Sequence, residues 1–246
     1  MGESAFRVED NAAERTATLR FTRPDDGNRL SLREIAAVGQ TIRELGTRRG
    51  VKLVILQGDG EDFCLGRAPG PAGEAPKSAI EIRNSITQPI LEVYENIRAT
   101  PVPVLAMVQG RASGFGCALV GQCDLAIAAD DASFSLPEMN HDLPPTLAIS
   151  AMLHKVPIKR ILHMIYTRDA ISAADALALG IIGRIVPPSS LEDAVRDTAR
   201  KLSDRNRAAI CAVKEYALAA PYADANGAAR LAGNLLSAVL SSPKED

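Results

Sequence analysis

Apolar and polar positions alternate along residues 15–22, RTATLRFT, which predicts a strand with one covered face. Two β-branched runs, residues 51–57 and 102–108, lack that alternation and predict strands covered on both faces. Around them, residues 31–49 and 78–98 repeat their apolar positions at helical spacing, with Ser31 placed to cap the first segment. Short strands are expected at residues 125–129 and 133–136, split by a turn at Asp130 and Asp131. Beyond them the periodicity is mainly helical, over residues 146–154, 158–166, 173–179, 191–202, 207–219 and 227–240, with one strand at 182–186. Alternating strands and helices followed by helices point to an α/β fold with a helical C-terminal portion. Residues 58–77 are so rich in proline and glycine that they predict a long loop.

Composition narrows the function classes. A chain of 246 residues suits one large folded unit, and its 28 basic and 30 acidic residues leave a net charge of −2. That balance offers no field for a polyanion, so neither nucleic acid nor a membrane surface is an expected partner. The N-terminal segment is charged throughout, and no run is long enough to span a bilayer, so a cytoplasmic protein is expected. Cys64, Cys117, Cys123 and Cys211 lie in apolar or small-residue surroundings without metal-ligand spacing, which predicts reduced thiols and no metal site.

The candidate chemistry is concentrated between Pro101 and Pro145. There a covered strand runs into Gly110, Gly114 and Gly116, a small-residue helix start, a second short strand and a lone carboxylate, Glu138. Glycines at such a junction leave backbone N–H groups exposed at a helix N-terminus, where they favour a developing negative charge. That outlines an oxyanion hole with Glu138 as its base, although close helix packing also explains the glycines and Glu138 could cap a turn or pair with an arginine. The glycine spacing is not the dinucleotide-binding one. His141 and Asp142 are neighbours, so on an extended segment only one would face a pocket. His154 and His163 sit on amphipathic stretches and are expected to be structural; Tyr94, Ile86, Ile90 and Ile97 form a stripe that reads as core or acyl-pocket lining.

Four stretches, RPDDGNRLSLREI, VKLVILQGDGEDFCLGRA, PVPVLAMVQGRASGFGCALVGQCDLAIAADDASFSLPE and DAISAADALALGIIGRIVPPSSLEDAV, resemble in order and spacing the enoyl-CoA hydratase/isomerase, or crotonase, superfamily. The likeness runs over residues 8–241. It implies a crotonase-like spiral of ββα turns over residues 1–190, carrying an acyl-CoA site, and a helical C-terminal trimerisation region over residues 191–246. It further implies a homotrimer or hexamer, an acyl-CoA substrate, and no cofactor apart from the coenzyme A of that thioester. Matched onto this chain, the N–H donors to the thioester oxygen fall at Arg67 and Phe115, the proton carrier at Glu138, and the coenzyme-binding positions at Arg29, Leu65, Gly66 and Gly114.

Departures from the family pattern bear on the reaction. Hydratases of the family share one water between two glutamates, and this chain has Ala118 where one of them would stand. A single carboxylate suits double-bond isomerisation, in which one base removes a proton at C2 and returns it at C4. The alternatives are C–C or thioester hydrolysis with His141 or Asp142 orienting water, and a catalytically silent acyl-CoA-binding relative. After Glu138 a glycine-rich run is replaced by NHDLPPTLAIS, and Arg67 brings a guanidinium to a donor position, where a carboxylate on substrate or protein is its expected partner. Asp25 and Asp26 replace a basic residue, leaving Arg23 and Arg29 as the nearest cations for the coenzyme phosphates. The last residues, SSPKED, stand where the family usually adds an aromatic and basic tail over the coenzyme.

Overall fold

The computed structural model of the chain describes residues 4–70 and 78–242. Residues 71–77 of the expected loop and the terminal residues 243–246 lie outside the described residues. Two strands, β1 (Phe6–Asn11) and β2 (Thr16–Phe21), open the chain as an antiparallel pair. The sequence pattern gave no strand over β1, because FRVEDN is exposed along almost its whole length and carries no apolar stripe. Helix α1 (Leu32–Thr47) begins with a capping box: the Glu34 N–H donates to Ser31 Oγ and the Ser31 N–H donates to the Glu34 carboxylate. Next come β3 (Leu53–Gly58) and α2 (Ala79–Ile82). A π-helical turn over Arg83–Thr87 then leads into α3 (Gln88–Ala99), so the single helix expected over residues 78–98 is interrupted. Pro89 explains the break, since it has no N–H to continue the helical ladder.

From here the chain alternates between two sheets. It passes through β4 (Val104–Val108), β5 (Arg111–Ser113), α4 (Phe115–Gln122), β6 (Leu125–Ala129) and β7 (Ser133–Ser135). Helices α5 (Thr146–Met152) and α6 (Ile158–Thr167), strand β8 (Ile171–Ser172), α7 (Ala173–Leu179) and β9 (Arg184–Val186) follow. The chain closes with α8 (Leu191–Ser203), α9 (Arg207–Ala219) and α10 (Ala225–Ser241). The large sheet has the order β1-β2-β3-β4-β6-β9, parallel after the opening pair, and the small sheet the order β5-β7-β8. Neither β5 nor β8 was expected; at three and two residues they are too short to show a period of their own.

The large sheet is covered on both faces, which is why its central strands read as unbroken apolar runs. Val54, Leu56, Val104, Ala106 and Val108 face the main core with α1, α3 and α4. Their neighbours Leu53, Ile55, Leu105, Met107 and Ile127 face Leu191, Ala194, Val195 and Ala199 of α8. Two lysines, Lys155 and the buried Lys214, tie elements together. Lys155, on the turn after α5, donates from Nζ to the carbonyl oxygens of Gly121, Gln122 and Cys123 at the end of α4, at 3.0, 2.7 and 3.1 Å. Lys214 of α9 donates to the Ile97 and Val102 carbonyls and pairs with Asp124 at 2.7 Å. Among the described residues no helix is long and apolar enough to cross a membrane.

Candidate active site

The candidate site lies where β5 turns into α4. Gly114, at φ 54°, donates its N–H to Ser135 of β7 and turns its α-carbon toward Glu138; a Cβ there would stand 3.2 Å from Glu138 Oε1. No L side chain is at ease in that conformation or that space. The next residue, Phe115, opens α4, and an N–H in the first helical turn has no intrahelical acceptor. Among the described residues it donates to nothing.

The CLGRA segment is held against this corner from two sides. On one side the Leu65 N–H donates to Gly27, the Leu30 N–H to Gly66 and the Ala68 N–H to Leu30, at 2.8, 3.1 and 2.8 Å. On the other, Phe63 donates to Arg111, and Ser113 to Cys64, at 3.1 and 3.0 Å. Arg67 is bridged to Leu30, and among the described residues its own N–H also donates to nothing. A Cβ on Gly66 would lie 3.7 Å from the Phe115 nitrogen, so the two segments bring the Gly66–Arg67 and Phe115 backbones side by side. Gly116 makes this approach possible, because a Cβ there would collide with the Cys64 carbonyl. Asn28, almost fully buried, locks the outer layer: its amide donates to the carbonyls of Asp59 and Asp62, and its side-chain oxygen accepts from the Arg23 N–H.

Glu138 sits on a 3₁₀ turn over Pro137–His141, directly after β7. Its Oε2 is buried and has no hydrogen-bond partner, and burial holds its carboxyl above the usual carboxylate range. Around it are groups that stay neutral. Burial pushes the Cys117 thiol up to about 12, with the Glu138 charge adding to the shift, and burial pushes Cys64 to about 12 as well. Tyr94 of α3 stacks on Phe115, with ring centroids 6.3 Å apart and planes 17° from parallel. Its hydroxyl is pushed far up by burial, then by the charge of Glu138. Ala118, three residues beyond Phe115 and therefore on the same helical face, is fully buried.

The other expected site residues are placed less centrally. The His141 and Asp142 side chains are both exposed, and among the described residues neither bonds to the Glu138 carboxylate; only the Asp142 backbone N–H reaches Glu138, donating to its carbonyl as the turn closes. The expected extended segment is corrected to a turn: Pro137 starts a 3₁₀ helix, and Asp142 closes it in the left-handed conformation at φ 55°. The Arg67 side chain is exposed and finds no carboxylate among the described residues. Arg29 donates to the Asp26 carbonyl at 2.9 Å, while Arg23 is engaged by Glu34 at 2.6 Å and by the Arg29 carbonyl, which leaves it committed within the protein. Leu65 and Gly66 lie in the clamped segment beside Phe115. Periodicity assigns Tyr94 no polar role, because its helical spacing with Ile90 and Ile97 reads as core; the one available signal is a hydroxyl within an apolar stripe.

A carbonyl oxygen placed between the Arg67 and Phe115 N–H groups would accept two hydrogen bonds beside a desolvated carboxylate. Such a group suits removal of a proton next to that carbonyl. Among the described residues there is no cluster of three His, Cys, Asp or Glu side chains that could hold a metal ion.

The enoyl-CoA hydratase/isomerase family model matches residues 11–240. Among curated relatives, the mouse mitochondrial enoyl-CoA hydratase domain-containing protein 3 is 33% identical over 190 residues, 77% of this chain and 63% of that protein. The chain thus spans less than two thirds of that relative's length. The crotonyl-CoA hydratase of Syntrophomonas wolfei is 28% identical over 200 residues, 80% of this chain and 75% of the relative. Among solved structures, an enoyl-CoA hydratase of Mycobacterium smegmatis superposes with a TM-score of 0.91 at 29% identity, covering 98% of this chain and 93% of that one. The human enoyl-CoA hydratase domain-containing protein 3 gives a TM-score of 0.89 at 27% identity, covering 97% and 92%.

Proposed function

The chain belongs to the enoyl-CoA hydratase/isomerase family, and on that premise we propose that it is an acyl-CoA enzyme working through a thioester enolate, with double-bond isomerisation as its reaction. In this reading the thioester oxygen accepts hydrogen bonds from the N–H groups of Phe115 and Arg67. Glu138 removes a proton from C2, the charge moves to the held oxygen, and Glu138 returns the proton at C4, turning a 3-enoyl into a 2-enoyl thioester. Each N–H donor contributes about 2.7–4 kcal/mol to a transition state of this kind. Coenzyme A enters as part of the substrate, and the step needs no other cofactor.

The observation that carries this reading is the Glu138 carboxylate, desolvated against Gly114 with its Oε2 unpartnered, and only the methyl of Ala118 where a second carboxylate would be needed. Its raised pKa suits a base that must let the proton go again. Hydrolysis assisted by His141 or Asp142 is less well supported, since both side chains are exposed.

Calorimetry with an enolate-mimicking CoA analogue and its ground-state acyl-CoA separates enzyme from silent binder. The mimic is expected to bind at least about 10²-fold tighter. Equal affinities would favour an acyl-CoA-binding relative without catalysis.

A further inference from the structure

Isomerisation uses Glu138 and two backbone donors and leaves Tyr94 without a task. Yet Tyr94 is only 2% exposed, with its ring stacked on Phe115, the residue whose N–H is assigned to the thioester oxygen. Its hydroxyl makes no hydrogen bond with a described residue and is therefore free to bond a water or a ligand. Glu138 Oε2 is buried and unpartnered. Tyr94 and Glu138 flank one corner, since Phe115 stacks on Tyr94 and Gly114, next in the chain, abuts Glu138. Burial raises the Tyr94 hydroxyl's pKa, and the charge on Glu138 adds to the rise. An unbonded donor and an unbonded acceptor facing one corner suit a single bridging water, which accepts from the phenol and donates to the carboxylate.

We propose that Tyr94 is a further catalytic residue, which with Glu138 holds a reactive water in place of the carboxylate missing at Ala118. The inference rests on the acyl-CoA reading above and extends it to water addition. The water gives a proton to Glu138 as its oxygen attacks C3 of a 2-enoyl thioester. The C2–C3 π electrons move toward the thioester oxygen, held by Phe115 and Arg67, and the enolate then takes the proton back from Glu138 at C2. One water and one double bond become a 3-hydroxyacyl thioester, and Glu138 ends as it began. Tyr94 keeps its proton throughout and acts by fixing the water's position.

The test compares the full chain with Tyr94→Phe, which removes one oxygen and keeps the ring on Phe115. Hydration of a 2-enoyl-CoA and isomerisation of a 3-enoyl-CoA are measured on both, together with calorimetric binding of the thioesters. Hydration kcat is expected to fall about tenfold or more in the variant, with KM and the isomerisation rate within about twofold of the parent. Equal losses in both reactions would reduce Tyr94 to packing and overturn the proposal. So would unchanged hydration in the variant, or a parent protein that isomerises without hydrating. Failure of the parent to bind either thioester would instead remove the acyl-CoA reading itself, and Tyr94's role with it.

Discussion

Glu138 is held in a place where its charge is disfavoured. Burial raises its pKa in the folded chain above the ordinary value of 4.5, so the folded state binds the proton more tightly than the unfolded one does. For an acid shifted in this direction, stability falls as pH rises from the unfolded value through the folded one, and the penalty is fully present above both. Glu138→Gln keeps the shape and removes the charge. Turnover is expected to fall by about 10² or more. Stability at pH 7 is expected to rise, each 1 kcal/mol lifting Tm by about 2–4 °C in a chain of this size. Scanning calorimetry at pH 7 and pH 4 checks the sign, since the gain should shrink once Glu138 is protonated in the parent. Undiminished turnover would remove Glu138 as the base. The parent's activity should also lose its acid limb at a pH above 4.5, because only the ionised carboxylate accepts a proton.

Helix α4 shows how an element is made to serve a site. Every residue from Phe115 to Gln122 is buried, so the orphan groups at both ends need partners away from bulk water. At the N-terminus the Phe115 N–H has no acceptor among the described residues, while at the C-terminus Lys155 takes up three carbonyls at once. A cation at a helix C-terminus is also favoured by the helix dipole. Lys155→Met retains much of the side-chain bulk and deletes these donors, leaving buried carbonyls that cost about 1–3 kcal/mol each. A loss of about 3 kcal/mol is expected, read as a lower midpoint in urea denaturation with an unchanged slope. Catalytic loss should accompany it, because the start of α4 sets the Phe115 donor. A midpoint equal to the parent's would show that the capping contributes nothing measurable.

At the scale of the molecule, the C-terminal helices leave apolar surface uncovered. Helix α10 has no buried residue, and its Leu236 and Leu240 are 61% and 77% exposed. Val213 of α9 and Tyr222 just beyond it are similarly open. A monomer rarely leaves so much apolar side chain to water, and self-association of identical faces is the commonest remedy. Light scattering at micromolar concentration is therefore expected to give a trimer or hexamer, the assembly implied by the family resemblance. A monomer mass would overturn that expectation and leave the α9–α10 surface to another partner.

Local physics made several features legible in the sequence. The covered strands β3, β4 and β6 announce themselves by apolar runs, α1 by its amphipathic period and the Ser31 cap, and the α4 corner by glycines whose packing admits no Cβ. Each depends on residues within a few positions of one another. What the tertiary structure decided depends on distant partners. Strand β1 exists because β2 offers a pairing edge, and β5 because β7 does, although neither sequence carries a usable period. Arg23 looked available for a phosphate until folding placed Glu34 beside it. Tyr94 shares its spacing with core isoleucines, and only the approach of α3 to α4 puts its hydroxyl near Glu138. Periodicity records which face of an element is buried; it holds no record of what that face meets, and for a polar atom in a core the meeting decides between packing and chemistry.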